Sequence, residues 1–247
     1  MRAIILAAGR GLRLKQPVET EIPKCLLEFG GRTLLERHFE LLGRHGVTEV
    51  VLALGHMHEV IEARLGRIAG RTHPQVVLNP QFELGSVLTL HTAASALTGG
   101  GDVLVMDADV LYHERIMQAL VAAPAGTNRV LIDRGFEPGP EPVKVCVRGG
   151  VPVELRKQVD AGLQYDTIGE SIGFFRLRER SATRLAAIVA DYVHSGRANM
   201  PHEEAVRDLI REPGHEFEVA DVTGSPWIEI DFPADVERAA REILPRV

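Results

Sequence analysis

The sequence predicts an α/β fold, a mostly parallel twisted sheet with helices on both faces, and three observations carry that expectation. Short β-branched runs with almost no polar residue, Ala3-Ile4-Ile5-Leu6-Ala7 first among them, are the pattern of strands covered on both sides. Segments of helical period separate those runs. Two of the strands end in paired acids, Asp107 with Asp109 and Glu229 with Asp231, where open α/β sheets place ligands beyond the carboxyl ends of their strands. The 247 residues are 45% apolar and 25% charged, enough for a real core and ordinary for a globular protein. With no linker, internal repeat or low-complexity segment, the chain is expected to form one domain over 1–247.

In chain order, the first strand breaks into Ala8-Gly9-Arg10-Gly11-Leu12-Arg13. Two glycines permit backbone angles other residues avoid and bring N–H groups close to a ligand, while Arg10 and Arg13 add fixed positive charge. The spacing is neither that of a P-loop nor of a full dinucleotide fingerprint, because Leu14 stands where a third glycine belongs. After an irregular polar stretch from Lys15 to Ile22, Pro23-Lys24 delivers an ammonium on a rigid dipeptide. Thr33-Leu34-Leu35-Glu36 is a capping box that opens a helix stopped at Gly46. Glu49 to Leu54 is the second buried strand, Met57 to Leu65 a helix, and Gln75 to Leu78 a third strand. His56 and His58 lack a third partner in the sequence and fit loop residues better than metal ligands.

Gln81 to Leu90 runs from a loop into a helix expected to reach Leu97, with Ser86 placed as an N-cap or as a ligand contact. Asp102 to Asp109 is a strand whose alternation points Asp107 and Asp109 to one side, fit for a hard cation that takes oxygen ligands. Val130 to Asp133 is a strand, 135–142 a Gly/Pro-rich connection, and Arg148-Gly149-Gly150 the turn of a β-hairpin. Lys144 on that hairpin is either a second phosphate-binding cation or an exposed strand lysine. Ile168 to Phe175 is a strand with glycines that allow close approach. Helices are expected over Glu179 to His194 and Pro201 to Arg211. Trp227 to Asp231 is a last strand, followed by a helix with Pro233 in its first turn and Asp235 on its dipole.

Composition narrows the partners. A net charge of −6 argues against nucleic acid, whose backbone is bound through clustered Lys and Arg. The two cysteines, Cys25 and Cys146, are too few for a disulfide framework or a zinc site and fit a cytoplasmic protein. The apolar run after Arg2 ends at Ala8, too short for a signal peptide, and no stretch approaches the ~18 apolar residues of a membrane span.

The run from Leu6 to Leu14 with Pro23-Lys24 resembles the signature of the nucleotidyltransferases that make nucleoside-diphosphate sugars and alcohols. The resemblance covers nearly the whole chain. It implies a Rossmann-like three-layer α/β/α, glycosyltransferase-A-like fold, and transfer of a nucleotidyl group from a nucleoside triphosphate with release of pyrophosphate. Carried over by position, Leu6, Ala7, Ala8, Gly9, Gly11 and Arg13 hold the nucleotide, Gly85 and Ser86 read its base, and Asp107 also lies against it. Arg13 and Lys24, with Lys144, neutralise phosphate charge, and Asp109 and Asp231 hold Mg²⁺. The segments around Asn79 to Leu90, Asp107 to Asp109 and Glu229 to Asp231 most resemble the phosphocholine cytidylyltransferase-like group, although an Asn-rich stretch is common there in place of Gly85-Ser86. The implied substrates are CTP and a small phosphorylated or phosphonylated alcohol. A choline or aminoethyl head group calls for aromatic faces and an acid, for which Tyr112, Tyr165, Phe174, Trp227 and Glu170 are the candidates. A hexose-1-phosphate nucleotidyltransferase is the alternative, and a metal-dependent glycosyltransferase a more distant one. A homo-oligomer is compatible with the sequence.

Overall fold

The computed structural model describes residues 1–14, 22–70 and 72–247; the polar stretch after Leu14 lies outside them except for Ile22. The elements are, in order, β1 (Arg2–Ala7), β2 (Glu28–Phe29), β3 (Arg32–Thr33), α1 (Leu34–Arg44), β4 (Glu49–Leu54), α2 (His58–Ile68), β5 (His73–Leu78), α3 (Ser86–Thr92) and α4 (Ala94–Thr98). There follow β6 (Val103–Asp107), β7 (Val110–Tyr112), α5 (Glu114–Val121), β8 (Asn128–Asp133), β9 (Lys144–Arg148), β10 (Val151–Arg156) and β11 (Thr167–Leu177). The chain closes with α6 (Glu179–His194), α7 (His202–Arg211), β12 (Phe217–Asp221), β13 (Trp227–Glu229) and α8 (Pro233–Arg238).

The main sheet has the order β10-β9-β11-β6-β1-β4-β5, with β8 pairing β11 and β12 pairing β8. From the pairings, β1, β4, β5, β6, β8, β9 and β12 run one way and only β11 and β10 run against them. The sheet is therefore mostly parallel in direction, as the uniformly apolar strands predict. Along β1 the reason is visible residue by residue. Ile4 and Leu6 pack with α3, α4, α6 and α7 on one face, whereas Ala3 and Ile5 pack with α1, α2 and α5 on the other. A strand that alternates between two cores has no position left for a polar side chain.

Local signals explain most boundaries. Glu36 N–H donates to Thr33 Oγ1 at 3.0 Å and Thr33 N–H to a Glu36 carboxylate oxygen at 3.3 Å, so the capping box opens α1 as expected. The β9–β10 hairpin turns on Gly149 and Gly150, both at positive φ, 59° and 81°, the requirement of a two-residue primed turn. The helix expected to run from Ser86 to Leu97 is broken at Ala93 into α3 and α4. Ser86 is the first residue of α3 and does not cap that helix with its side chain, Gly85 preceding it in extended backbone. Four elements are not named by the sequence reading: the β2–β3 hairpin, β7, α5 and β12. The last has a half-polar sequence, Phe217-Glu-Val-Ala-Asp, because it forms an edge of the sheet beside β8.

Outside the main sheet, β13 pairs antiparallel with β7, aligning Trp227 with Tyr112, Ile228 with Leu111 and Glu229 with Val110. A small apolar cluster of Phe29, Leu34, Leu111, Ile228, Ile230 and Ala239 fixes this ribbon beside α1. The ribbon joins two chain segments far apart in sequence at the carboxyl edge of the sheet.

Candidate active site

The loop after β1 turns on Gly11, at φ 59°. A Cβ there would lie 3.1 Å from Cγ of Lys24, so this glycine both supplies the left-handed turn and leaves room for the Lys24 stem to pass. The stem runs into a cleft of about 330 Å³ above the strand ends, which Leu6, Ala8, Gly9 and Arg13 also line. Ala7, alternating with Leu6 and Ala8, packs instead against the core on the α1 side of the sheet. Arg10 faces elsewhere, in an exposed pair with Glu83 at 2.6 Å.

The register of the β7–β13 ribbon assembles the acids. Ile230 N–H donates to the Asp109 carbonyl at 2.9 Å, which sets Asp109 beside the segment carrying Glu229 and Asp231. One carboxylate oxygen from each of the three lies within 4.8 Å of the others. Lys24 Nζ bridges two of them, 3.0 Å from Asp109 Oδ2 and 2.6 Å from Asp231 Oδ1. Arg13 grips the other Asp231 oxygen at 2.7 Å, and reaches Glu141 at 2.6 Å. Burial alone would lower the Lys24 pKa, but Asp109 and Asp231 outweigh it and hold the ammonium above its usual range. Glu229, open to the cleft yet closely surrounded, is pushed up to about 8, by enclosure first and then by the charges of Asp109 and Asp231. The set is all oxygen and short of positive charge, with an ammonium held between two of its members. Those are the features of a hard-cation site, and Mg²⁺ fits this donor set. The family resemblance pointed to Asp109 and Asp231; Glu229, the last residue of β13 and two residues before Asp231, lies with them.

Asp107 lies one step away from that set. Its carboxylate rests on β11 at Gly173, where a Cβ would stand 2.4 Å from Asp107 Oδ2 and where φ is 77°. Burial first, then Glu203 and Asp109, raise its pKa well above the carboxylate range. Asp107 belongs instead with His202 and Glu203, a second group with ligand atoms within 4.8 Å of one another. The expectation that alternation puts Asp107 and Asp109 on one cation thus meets two neighbouring groups. Neither His202 nor Glu203 carries a periodic or motif signal, since both open an amphipathic helix. Gly85 and Ser86 line the same cleft. A Cβ on Gly85 would lie 2.7 Å from the backbone of Asn199, and Ser86 Oγ accepts the His202 N–H at 2.8 Å, so this pair also seats the start of α7.

The other expected site residues, Glu170 apart, fall outside the cleft. Lys144 Nζ donates to the carbonyls of Gly139, Pro142 and Lys157 at 2.7–3.1 Å. It ties down the connection that bears Glu141, while Lys157 lines the cleft along with Lys24 and pairs with Glu141 at 3.1 Å. Tyr112 is 4% exposed and packs edge-on against Phe174, itself fully buried, so both are core residues rather than faces for a head group. Tyr165 is on the surface and lines neither the cleft nor its neighbour. Trp227 and Glu170 do line a second cavity of about 380 Å³, which shares Glu141, Glu229 and Asp231 with the first. Glu170 reaches both; burial, then Asp133, pushes its carboxyl up to about 7.

A glycine-rich loop, a convergent lysine and arginine, and an acid set at the carboxyl edge of a mostly parallel sheet define a nucleoside-triphosphate transferase domain. The chain belongs to that family: the MobA-like NTP transferase domain matches residues 3–165. Among curated relatives, the CMP-5'-(3-aminopropyl)phosphonate synthase of Streptomyces rubellomurinus is 29% identical over 99% of this chain, which spans 39% of that protein's length. The CTP:phosphoglutamine cytidylyltransferase of Campylobacter jejuni is 23% identical over 96% of this chain and 98% of its own. The inositol-1-phosphate CTP transferase of T. maritima superposes with a TM-score of 0.78 at 20% identity, covering 99% of this chain and 95% of that one.

Proposed function

We propose that this chain is an Mg²⁺-dependent cytidylyltransferase that joins CMP from CTP to a small phosphorylated or phosphonylated alcohol. An acceptor phosphate or phosphonate oxygen forms the new bond to the α-phosphorus, the bond from that phosphorus to the bridging oxygen breaks, and pyrophosphate departs. Such a displacement needs positioning and charge neutralisation rather than a protein nucleophile. The observation that carries the reading is the convergence of Arg13 and Lys24 on Asp109 and Asp231 at the mouth of the glycine loop. The names of the two curated relatives, a CMP-phosphonate synthase and a CTP-using transferase, favour CTP and this acceptor class.

In this reading Asp109, Glu229 and Asp231 hold the magnesium, which when bound offsets the negative charge of the triphosphate. With those oxygens engaged, the Lys24 ammonium and the Arg13 guanidinium turn to phosphate oxygens. The Gly9 and Gly11 backbone lies along the triphosphate, Leu6 and Ala8 wall the nucleoside, and Gly85 and Ser86 meet the base edge. Lys157, rather than Lys144, is the further cation available to a phosphate in the cleft. The whole chain acts as one domain, in the cytoplasm, where its two buried free cysteines would stay reduced.

The test is a pyrophosphate-release screen of four nucleoside triphosphates against phospho-alcohols, phosphono-alcohols and sugar phosphates. Release with CTP and a small phospho- or phosphono-alcohol is expected. Preference for UTP or dTTP with glucose 1-phosphate would remove the cytidylyl assignment and leave the nucleotidyl transfer.

A further inference from the structure

The acids assigned to the metal already carry counter-ions. Lys24 Nζ donates to Asp231 Oδ1 at 2.6 Å and to Asp109 Oδ2 at 3.0 Å, while Arg13 donates to Asp231 Oδ2 at 2.7 Å, so both oxygens of Asp231 are engaged. The Lys24, Asp109 and Asp231 side chains are 16%, 22% and 13% exposed. Solvent weakens such pairs far less than the Arg10–Glu83 pair on the rim, at 38% and 64%. The ammonium is also aimed by its own segment: Pro23 stands before it at φ −53°, Leu27 N–H donates to the Lys24 carbonyl at 3.0 Å, and the stem threads past Gly11. Asp109 and Asp231 thus face two cations, and their charge is balanced within the chain.

A divalent cation coordinated to Asp231 Oδ1 at about 2.1 Å would stand within about 5 Å of the Lys24 ammonium as it lies here, since that oxygen is 2.6 Å from Nζ. Like charges at that range repel strongly between side chains this shielded. The cation and the ammonium therefore compete for the same oxygens. We propose that Lys24 and Arg13 form a counter-ion latch, which keeps Asp109 and Asp231 closed to a lone divalent cation until the phosphates of an incoming nucleoside triphosphate draw the two side chains off. The proposal rests on the nucleotidyl-transfer reading of the cleft and adds an order to it: the metal enters with the triphosphate or after it, not before.

The latch opens without stranding its other member. Glu141, the second partner of Arg13 at 2.6 Å, keeps Lys157 at 3.1 Å when Arg13 leaves. Only Asp109 and Asp231 lose their counter-ions, and a divalent cation replaces the charge they lose. Phosphate oxygens suit the exchange, because the Lys24 and Arg13 side chains only donate and need an anionic acceptor wherever they turn. Coupling of this kind is reciprocal, so each ligand tightens the binding of the other by the same factor.

The experiment titrates Mn²⁺ into the protein and reads the free ion by EPR, with no turnover involved, for the wild type, Lys24→Met, Lys24→Arg, and Lys24→Met combined with Asp231→Asn. Without nucleotide, Lys24→Met should bind Mn²⁺ about tenfold tighter than the wild type or more, the scale of ordinary coupling between sites. Lys24→Arg, which keeps the charge, should gain nothing, and Asp231→Asn should cancel the gain. Equilibrium dialysis without acceptor then gives the factor by which Mn²⁺ tightens CTP binding, which should be smaller in Lys24→Met than in the wild type. A Lys24→Met chain that binds Mn²⁺ no tighter than the wild type overturns the proposal, as does an unchanged coupling factor. A wild-type Kd for Mn²⁺ alone below about 10 μM, within the range of dedicated cation sites, also overturns it and needs no variant to fold. These outcomes leave the nucleotidyl-transfer reading standing. A chain that binds no nucleoside triphosphate, with or without Mn²⁺, would sink that reading and the proposal with it.

Discussion

Lys24 is the residue on which the two halves of the site meet, because its ammonium is held by one acid from the β6–β7 turn and one from the end of β13. Lys24→Ala should lower kcat by a factor on the order of 10² to 10³, the scale of losing one preorganised electrostatic contact. An unchanged kcat with only a weaker KM would assign Lys24 to ground-state binding. Asp109→Asn and Asp231→Asn should each nearly abolish turnover at saturating Mg²⁺ while the melting temperature stays close to that of the wild type. Near-normal turnover in either variant would remove that residue from the metal set. The family resemblance singled out these three residues, at strand ends and after the Pro23 turn, and the structure brings them together. Lys144 was not legible in the sequence, since one lysine on a strand looks the same whether it points to a phosphate or to three carbonyls. Tyr112 was misplaced for a similar reason: an aromatic residue just past an active-site strand serves the core as readily as the cleft, and here it packs on Phe174.

At the scale of elements, the strands that alternate between two cores were readable, and of those outside the main sheet or at its edges β5, β10 and β13 were read while β7 and β12 were not. β7 and β12 are short or half-polar, and their identity comes from β13 and β8, their partners. β11 shows how such pairing is enforced. Arg176 is 2% exposed within it, and its guanidinium donates to Asp102 at 2.8 Å and to the carbonyls of Val121, Ala123 and Pro124. This buried head staples β11, beside β6, to the connection that follows α5. Arg176→Met keeps much of the side chain's bulk but leaves Asp102 and three carbonyls without their donor. It should cost about 3–5 kcal/mol, read as a shift of the urea midpoint. A loss below 1 kcal/mol would mean that water replaces the guanidinium.

Across the whole molecule, stability depends on a junction where α1, β7 and β11 converge. His38 on α1 is fully buried there, its Nδ1 3.3 Å from the Tyr112 hydroxyl and its ring 5.9 Å from that of Phe174. Burial lowers its pKa from 6.5 to about 4. The unfolded chain therefore binds a proton at this histidine below about pH 6.5 while the folded chain stays neutral there down to about pH 4. Its contribution to stability is complete above pH 6.5 and declines as pH falls, by about 2 kcal/mol at pH 5 and about 3 kcal/mol once pH is below 4. Carboxylates titrate over part of this range and add slopes of their own, so the comparison must be with a variant. His38→Gln cannot be protonated, and its unfolding free energy should fall less steeply from pH 7.5 to pH 5 than that of the wild type. Urea unfolding at several pH values measures both curves. Parallel curves would mean that His38 is protonated as readily in the folded chain as in the unfolded one, with solvent reaching the junction of α1, β7 and β11.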